Sequence, residues 1–216
     1  MAVLAAAPDA AMTFDTSVIA AMAKWPNVPD VYNWLLLDAR GRYRIRARDY
    51  EQSGRFDTIG NAAVVEFIGR NTTCDETGRW YFQNGPQRVF FKLEYTPFVA
   101  RLQPQGMPLL HTGASVERVI AVWIDEHAVA ILETEHGPAL VDDRDNAIFI
   151  TGLKPLVGEV LDDIKLEEWL QKPVLGQLTW EICGTRVPVN SIKRAELSVR
   201  FAYTASRQPP AGAADC

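Results

Sequence analysis

Arginine stands at every second position from 40 to 48: Arg40, Arg42, Arg44, Arg46 and Arg48, with Gly41, Tyr43, Ile45 and Ala47 between them. Guanidinium groups make bidentate hydrogen bonds to carboxylates and phosphates, so this is the chain's most marked chemical capacity. A β-strand sends alternate side chains to opposite faces, and at about 3.3 Å per residue the cations would form a row roughly 26 Å long. Like charges that close repel unless an anion answers them. The five arginines are therefore the candidate ligand-binding residues, with an anionic small molecule or an acidic protein surface as partner. The alternative is a solvated sheet face answered by acids of the chain itself, such as Asp49, Glu51, Glu133 and Glu135. Tyr43 and Ile45 are expected to turn toward the core.

Other constellations are weaker. Asp142-Asp143-Arg144-Asp145, with Glu133, Glu135 and His136 near in sequence, could offer hard oxygen ligands. It lacks the glycine of a calcium loop and reads as a polar hairpin turn. His111, His127 and His136 have no tight pair of the kind zinc sites use, and no metal or cofactor is expected. Cys183 beside Gly184 reads as a structural thiol. No phosphate loop, dinucleotide fingerprint or nucleophile elbow is present. Aromatic residues crowd the first half, as in the core of a curved antiparallel sheet.

The chain of 216 residues has 48% hydrophobic and 23% charged residues, which places it among globular proteins. Its net charge of −5, without further basic clusters, argues against nucleic acid as a partner. Residues 1–110 carry 12 Lys and Arg against 11 Asp and Glu, whereas residues 111–216 carry 10 against 16, so an acidic half could answer the arginines internally. Three unpatterned cysteines suit a reducing compartment. The N-terminus has no basic signal region, and no apolar run approaches the roughly 18 residues that cross a bilayer. A cytoplasmic protein without membrane association is expected.

The elements that must position these groups follow from turns and periodicity. Val18, Ile19, Met22 and Trp25 form an apolar stripe that Asp15 or Thr16 can cap, and Pro26 and Pro29 end it. Strands are expected over 31–38 and 42–48, a loop over 49–60 and a helix over 61–70. Short strands follow over 79–83, 88–95 and 98–102, with an irregular Gly- and Pro-rich link over 103–116. Further strands are expected over 118–124, 128–133, 139–141 and 147–151. A helix over 161–170, a hairpin over 177–190 and a last strand over 196–203 complete the series. Asp38-x-x-Gly41-Arg42-Tyr43 recurs as Asp75-x-x-Gly78-Arg79-Trp80, with a faint third copy at Asp125-Glu-His-Ala128. In physical terms these are similar hairpin turns: Asp bonds the backbone ahead of it and Gly accepts the left-handed conformation.

Trp25-Pro-Asn-Val-Pro29 with Tyr32-x-Trp34, the run from Asp75 to Arg88, Glu133-Thr-Glu-His-Gly and Val141-Asp-Asp-Arg-Asp145 resemble a family of conserved hypothetical proteins from Gram-negative proteobacteria. The resemblance implies a bacterial cytoplasmic protein and carries over no functional residue.

The fold expected is α+β: mainly antiparallel β meanders or barrel-like sheets with about three short helices. Two β-rich subdomains are expected, 13–105 and 106–204, with flexible tails at 1–12 and 205–216. The function expected is a non-catalytic binding or interaction module with an anion-facing arginine row, self-associating as a homodimer through sheet edges. The alternative is an enzyme acting on an anionic or phosphorylated small molecule, with His111, His136 or the acidic run moving protons.

Overall fold

The computed structural model describes residues 14–156, 163–171 and 177–206. The chain forms two compact units, Met1–Pro97 with Phe201–Cys216, and Phe98–Arg200.

The first unit begins with helix α1 (Thr16–Lys24), whose Val18 is buried. Two three-stranded meanders follow. Strands β1 (Val31–Leu37), β2 (Tyr43–Arg46) and β3 (Phe56–Thr58) make one, with the single helical turn α2 (Tyr50–Ser53) inside it. Strands β4 (Thr72–Cys74), β5 (Trp80–Asn84) and β6 (Gln87–Leu93) make the other. Helix α3 (Ala62–Arg70) joins them, with the Asn61 side chain accepting the Val64 N–H as its N-cap. The six strands form one sheet in the order β3-β2-β1-β6-β5-β4, in which β1 and β6 run parallel. Tyr43 stacks on Phe91 on one face, with centroids 5.7 Å apart. Tyr32 stacks on Phe90 at 5.2 Å on the other, where Tyr81 and Phe14 join them. The chain returns to this unit at its end. The Leu93 N–H donates to the Ala205 carbonyl at 2.7 Å and the Tyr203 hydroxyl to the Tyr95 carbonyl at 2.9 Å.

The second unit holds the hairpin β7 (Phe98–Gln103) and β8 (Gly106–Leu110) and the meander β9 (Val119–Ile124), β10 (Ala130–Thr134) and β11 (Gly137–Val141). A 3₁₀ turn, Asp143–Asp145, runs into helix α4 (Asn146–Gly152). Strand β12 (Leu153–Pro155), helix α5 (Asp163–Gln171), strands β13 (Leu178–Ile182) and β14 (Thr185–Ser191) and the short helix α6 (Leu197–Arg200) complete it. The sheet order is β12-β13-β14-β9-β10-β11-β7-β8, with β11–β7 and β14–β9 parallel. Val122, Ile131, Leu132 and Val189 are wholly buried at its centre.

One turn is built three times, at the first hairpin of three meanders. Asp38 Oδ1 accepts the N–H groups of Arg40 and Arg42, Asp75 Oδ1 those of Thr77 and Arg79, and Asp125 Oδ1 those of His127 and Val129. The fourth residue of each has a positive φ: 71° at Gly41, 73° at Gly78 and 59° at Ala128. Ala128 takes this conformation despite its Cβ, because the aspartate holds the backbone on both sides of it.

The α+β class holds, and barrel-like sheets take the coarser form of a curled half-barrel. Two parts of the expected fold are corrected. The sheets are mixed, because meanders join through the parallel pairs β1–β6, β7–β11 and β9–β14 rather than through hairpins alone. Six α-helices occur among the described residues instead of three. Two of the additional helices are single turns. The third, α4, occupies 147–151, which reads as a strand by its isoleucines and phenylalanine. The Asp142 side chain accepts the Arg144 N–H and starts a helical turn there, overriding β propensity. Residues 196–203 likewise are α6 and turns, not a last strand, and β8 lies within the expected irregular link. Leu161, expected on the face of the later helix, lies outside the described residues.

Candidate ligand-binding cleft

The arginines do not form a continuous row. Strand β2 covers only Tyr43–Arg46, so Arg44 and Arg46 alone stand on it. Arg40 and Arg42 belong to the Asp38 turn, and Arg48 follows the strand, exposed. The Arg42 Nε donates to Asp38 Oδ2 at 2.8 Å. An Arg44 Nη donates to the Phe56 carbonyl of β3. The Arg46 Nη2 donates to Glu51 Oε1 at 2.8 Å, with its guanidinium 4.1 Å above the Tyr50 ring. These three guanidiniums are thus engaged by the chain itself. Tyr43 is buried, as its alternation demands, but Ile45 remains 39% exposed.

The acidic run is a structural lock in the second unit. Asp142 is buried, its carboxylate accepts the Nε and Nη2 of Arg144, and those bonds hold its pKa down to about 2. Asp145 accepts the Arg101 Nε at 2.7 Å and the Leu102 N–H at 3.0 Å, fastening β7 to the 3₁₀ turn. Among the described residues no group of three or more His, Cys, Asp or Glu converges as a metal site. His111 Nδ1 accepts the Val99 N–H at 3.2 Å, and His136 Nε2 lies 3.1 Å from the Ser115 carbonyl. Both rings pack against Phe98, while His127 is exposed beside Glu126. Cys74 is half-buried, and burial together with Asp75 pushes its thiol pKa up. Cys183 is exposed on the β13–β14 turn, and Cys216 lies outside the described residues.

What the first unit does present is an apolar cleft of about 570 Å³ between α3 and strands β1, β2, β5 and β6. Its walls include Trp34, Leu35, Ile45, Val64, Phe67 and Val89, and no lining side chain is ionisable. Asn84 and Gln87, paired across the β5–β6 turn, are its polar members. Phe67 meets Phe82 edge-on at 5.5 Å, seating the later part of α3 on the sheet, where Ile68 is buried. Val64, one turn earlier, stays 42% exposed, and Trp34 38%. Trp34 and Leu35 both reach the cleft although they are consecutive in β1. A regular strand would send them to opposite faces. Asn33, with φ of 61°, breaks the alternation, and the pairing of β1 with β6 shifts register between Val31 and Leu35. This is a bulge re-aiming a side chain, and an asparagine tolerant of positive φ is its one local signal.

A second cleft, of about 630 Å³, lies in the second unit between the β7–β8 turn, the end of α4 and β13. Its walls are mixed in polarity, and its Lys154 amino group already donates to the Thr151 carbonyl at 3.1 Å.

A family model described as a protein of unknown function (DUF2946) matches residues 14–209. This agrees with the resemblance to an uncharacterised family read from the sequence. Among curated proteins none matches. Among solved structures, a crystal structure of a DUF1285 family protein from Silicibacter pomeroyi is similar, with a TM-score of 0.47 and 16% identity. That likeness covers 75% of this chain and 82% of that one.

Proposed function

The chain belongs to the DUF2946 family of proteins of unknown function, and from that premise we propose that it is a non-catalytic binding module whose ligand site is the apolar cleft beneath α3. One observation carries this reading. Three large apolar side chains, Trp34, Ile45 and Val64, are left open to solvent around one concavity of ligand-binding size. Exposed apolar area gathered at a cleft costs solubility, and its retention there points to an occupant. The enzyme alternative has less support. His111 and the acidic run are spent on backbone and ion-pair contacts in the second unit. The arginines most central to the row have partners within the chain.

The test is titration with Nile red, a dye that brightens in apolar surroundings. Saturable binding is expected for the wild type. Val64→Glu should weaken it at least about tenfold with an unchanged melting temperature, because a carboxylate in the first turn of a helix is favourable to the fold while placing a charge in the cleft. Binding that survives this substitution would remove the cleft from consideration.

A further inference from the structure

We infer that the occupant of this cleft is an uncharged molecule with an apolar body and one neutral end that both donates and accepts hydrogen bonds, as a hydroxyl does, and that Asn84 and Gln87 receive that end. The inference rests on the cleft being a ligand site. Both residues line it. Alternation puts them on the face that the cleft occupies: Asn84 stands two residues after Phe82 and Gln87 two before Val89, and Phe82 and Val89 line the same walls. The pairs Phe82–Val89 and Asn84–Gln87 are in register across the hairpin, with no bulge between them to turn either side chain away. Two carboxamides thus stand side by side at one end of an apolar surface.

The Gln87 Nε2 donates to the Pro29 carbonyl at 3.1 Å, which holds the carboxamide in place. A carbonyl only accepts, so the nitrogen is the atom that faces Pro29 and the oxygen is left as an acceptor. Among the described residues no side-chain hydrogen bond engages that oxygen or the Asn84 carboxamide, whose nitrogen can donate. Asn84 is exposed and Gln87 half-buried, so the polar end of an occupant lies toward water while its body lies against Leu35, Phe67 and Phe82. An ionic end would lose part of its water beside Gln87, and no lining side chain carries an opposite charge to replace it. A hydroxyl there donates to Gln87 and accepts from Asn84, so both of its hydrogen-bonding roles are kept.

Displacement of Nile red by decanol, decanoate and decylammonium at pH 7 tests the inference, since the three share one apolar body and differ in the charge at its end. The wild type should bind decanol at least about fivefold more tightly than either ion. Gln87→Met, which keeps the length of the side chain and removes its polar atoms, should weaken decanol several-fold. Asn84→Asp, nearly unchanged in shape and at an exposed position, should tighten decylammonium by about threefold or more and weaken decanoate. An ion that binds the wild type as tightly as decanol does, decanol affinity unchanged in Gln87→Met, or decylammonium affinity unchanged in Asn84→Asp overturns the neutral end while the cleft stands. Dye that fails to bind the wild type, or that binds Val64→Glu equally well, overturns the cleft, and the inference with it.

Discussion

Gly78 lies directly against the carbonyl of Ala202, so close that a Cβ on the glycine has no room. Its own carbonyl accepts the Thr204 N–H at 2.9 Å. A side chain there would meet backbone rather than a movable group, and its φ of 73° would be strained as well. Gly78→Ala should therefore lower stability by about 3 kcal/mol or more in urea unfolding. Gly54 has a similar φ of 64° but open space around it. Gly54→Ala should cost only about 1 kcal/mol. Equal losses for the two would mean that the contact with Ala202 is not what matters at Gly78.

The three aspartate turns separate the worth of a turn from that of an ion pair. Asp38→Ala and Asp125→Ala should each cost about 2 kcal/mol, because each strips two backbone N–H groups of their acceptor. Arg42→Ala should cost less than about 1 kcal/mol, because its side chain is half exposed. Thermal melts of the three variants check the order. An arginine deletion as harmful as the aspartate one would put the stabilisation in the ion pair instead.

Asp142 predicts an acid-sensitive step. Its pKa is lowered to about 2 in the folded chain, chiefly by the Arg144 side chain. A depressed carboxyl contributes stability that is present above its unfolded value of about 3.9 and is lost as pH falls toward the folded one. The loss between about pH 4 and pH 2 should reach no more than about 2 kcal/mol, reduced because the partner arginine is half exposed. Asp142→Asn should be less stable than wild type at pH 7 and should show a flatter decline over that acid range, followed by urea midpoints.

Removing residues 201–216 should loosen the first unit in particular. The segment supplies the buried Tyr203 and the bonds that Ala205 and Thr204 make to Leu93 and Gly78. Hydrogen exchange at the Leu93 amide should accelerate by at least about a hundredfold, with amides at the centre of the second unit little changed. Unchanged protection at Leu93 would show the closing segment to be dispensable.

Legibility in the sequence followed the range of the interactions. Turn residues and alternation marked the hairpins at Asn84-Gly85 and Cys183-Gly184 and the meander from Val119 to Val141, because these pairings are local. The helices at Val18 and at Val64 were legible from their apolar stripes. The parallel pairs left no signal, since Val31 meets Val89 across intervening strands and two helices. The arginine alternation was real, but only Arg44 and Arg46 lie on the strand, since the Asp38 turn claims Arg40 and Arg42. The cleft was hidden for a related reason. Its walls come from α3 and four strands, and one wall depends on a bulge at Asn33 that interrupts the very alternation a reader of strands relies on.

The return of residues 201–206 to the first unit also sets an order of events during synthesis. A chain emerging from the ribosome can assemble both meanders of that unit early, yet the partners of Gly78, Leu93 and Tyr95 arrive only after Phe98–Arg200 has been made. At about 5–20 residues per second, that interval lasts roughly 5–20 seconds. For that time the first unit stands incomplete, without the bonds that Leu93 makes to Ala205 and Tyr95 to Tyr203. The nascent protein is then exposed to proteases and to chance strand pairing in a way the folded one is not, and residues 201–206 act as the latch that ends the exposure.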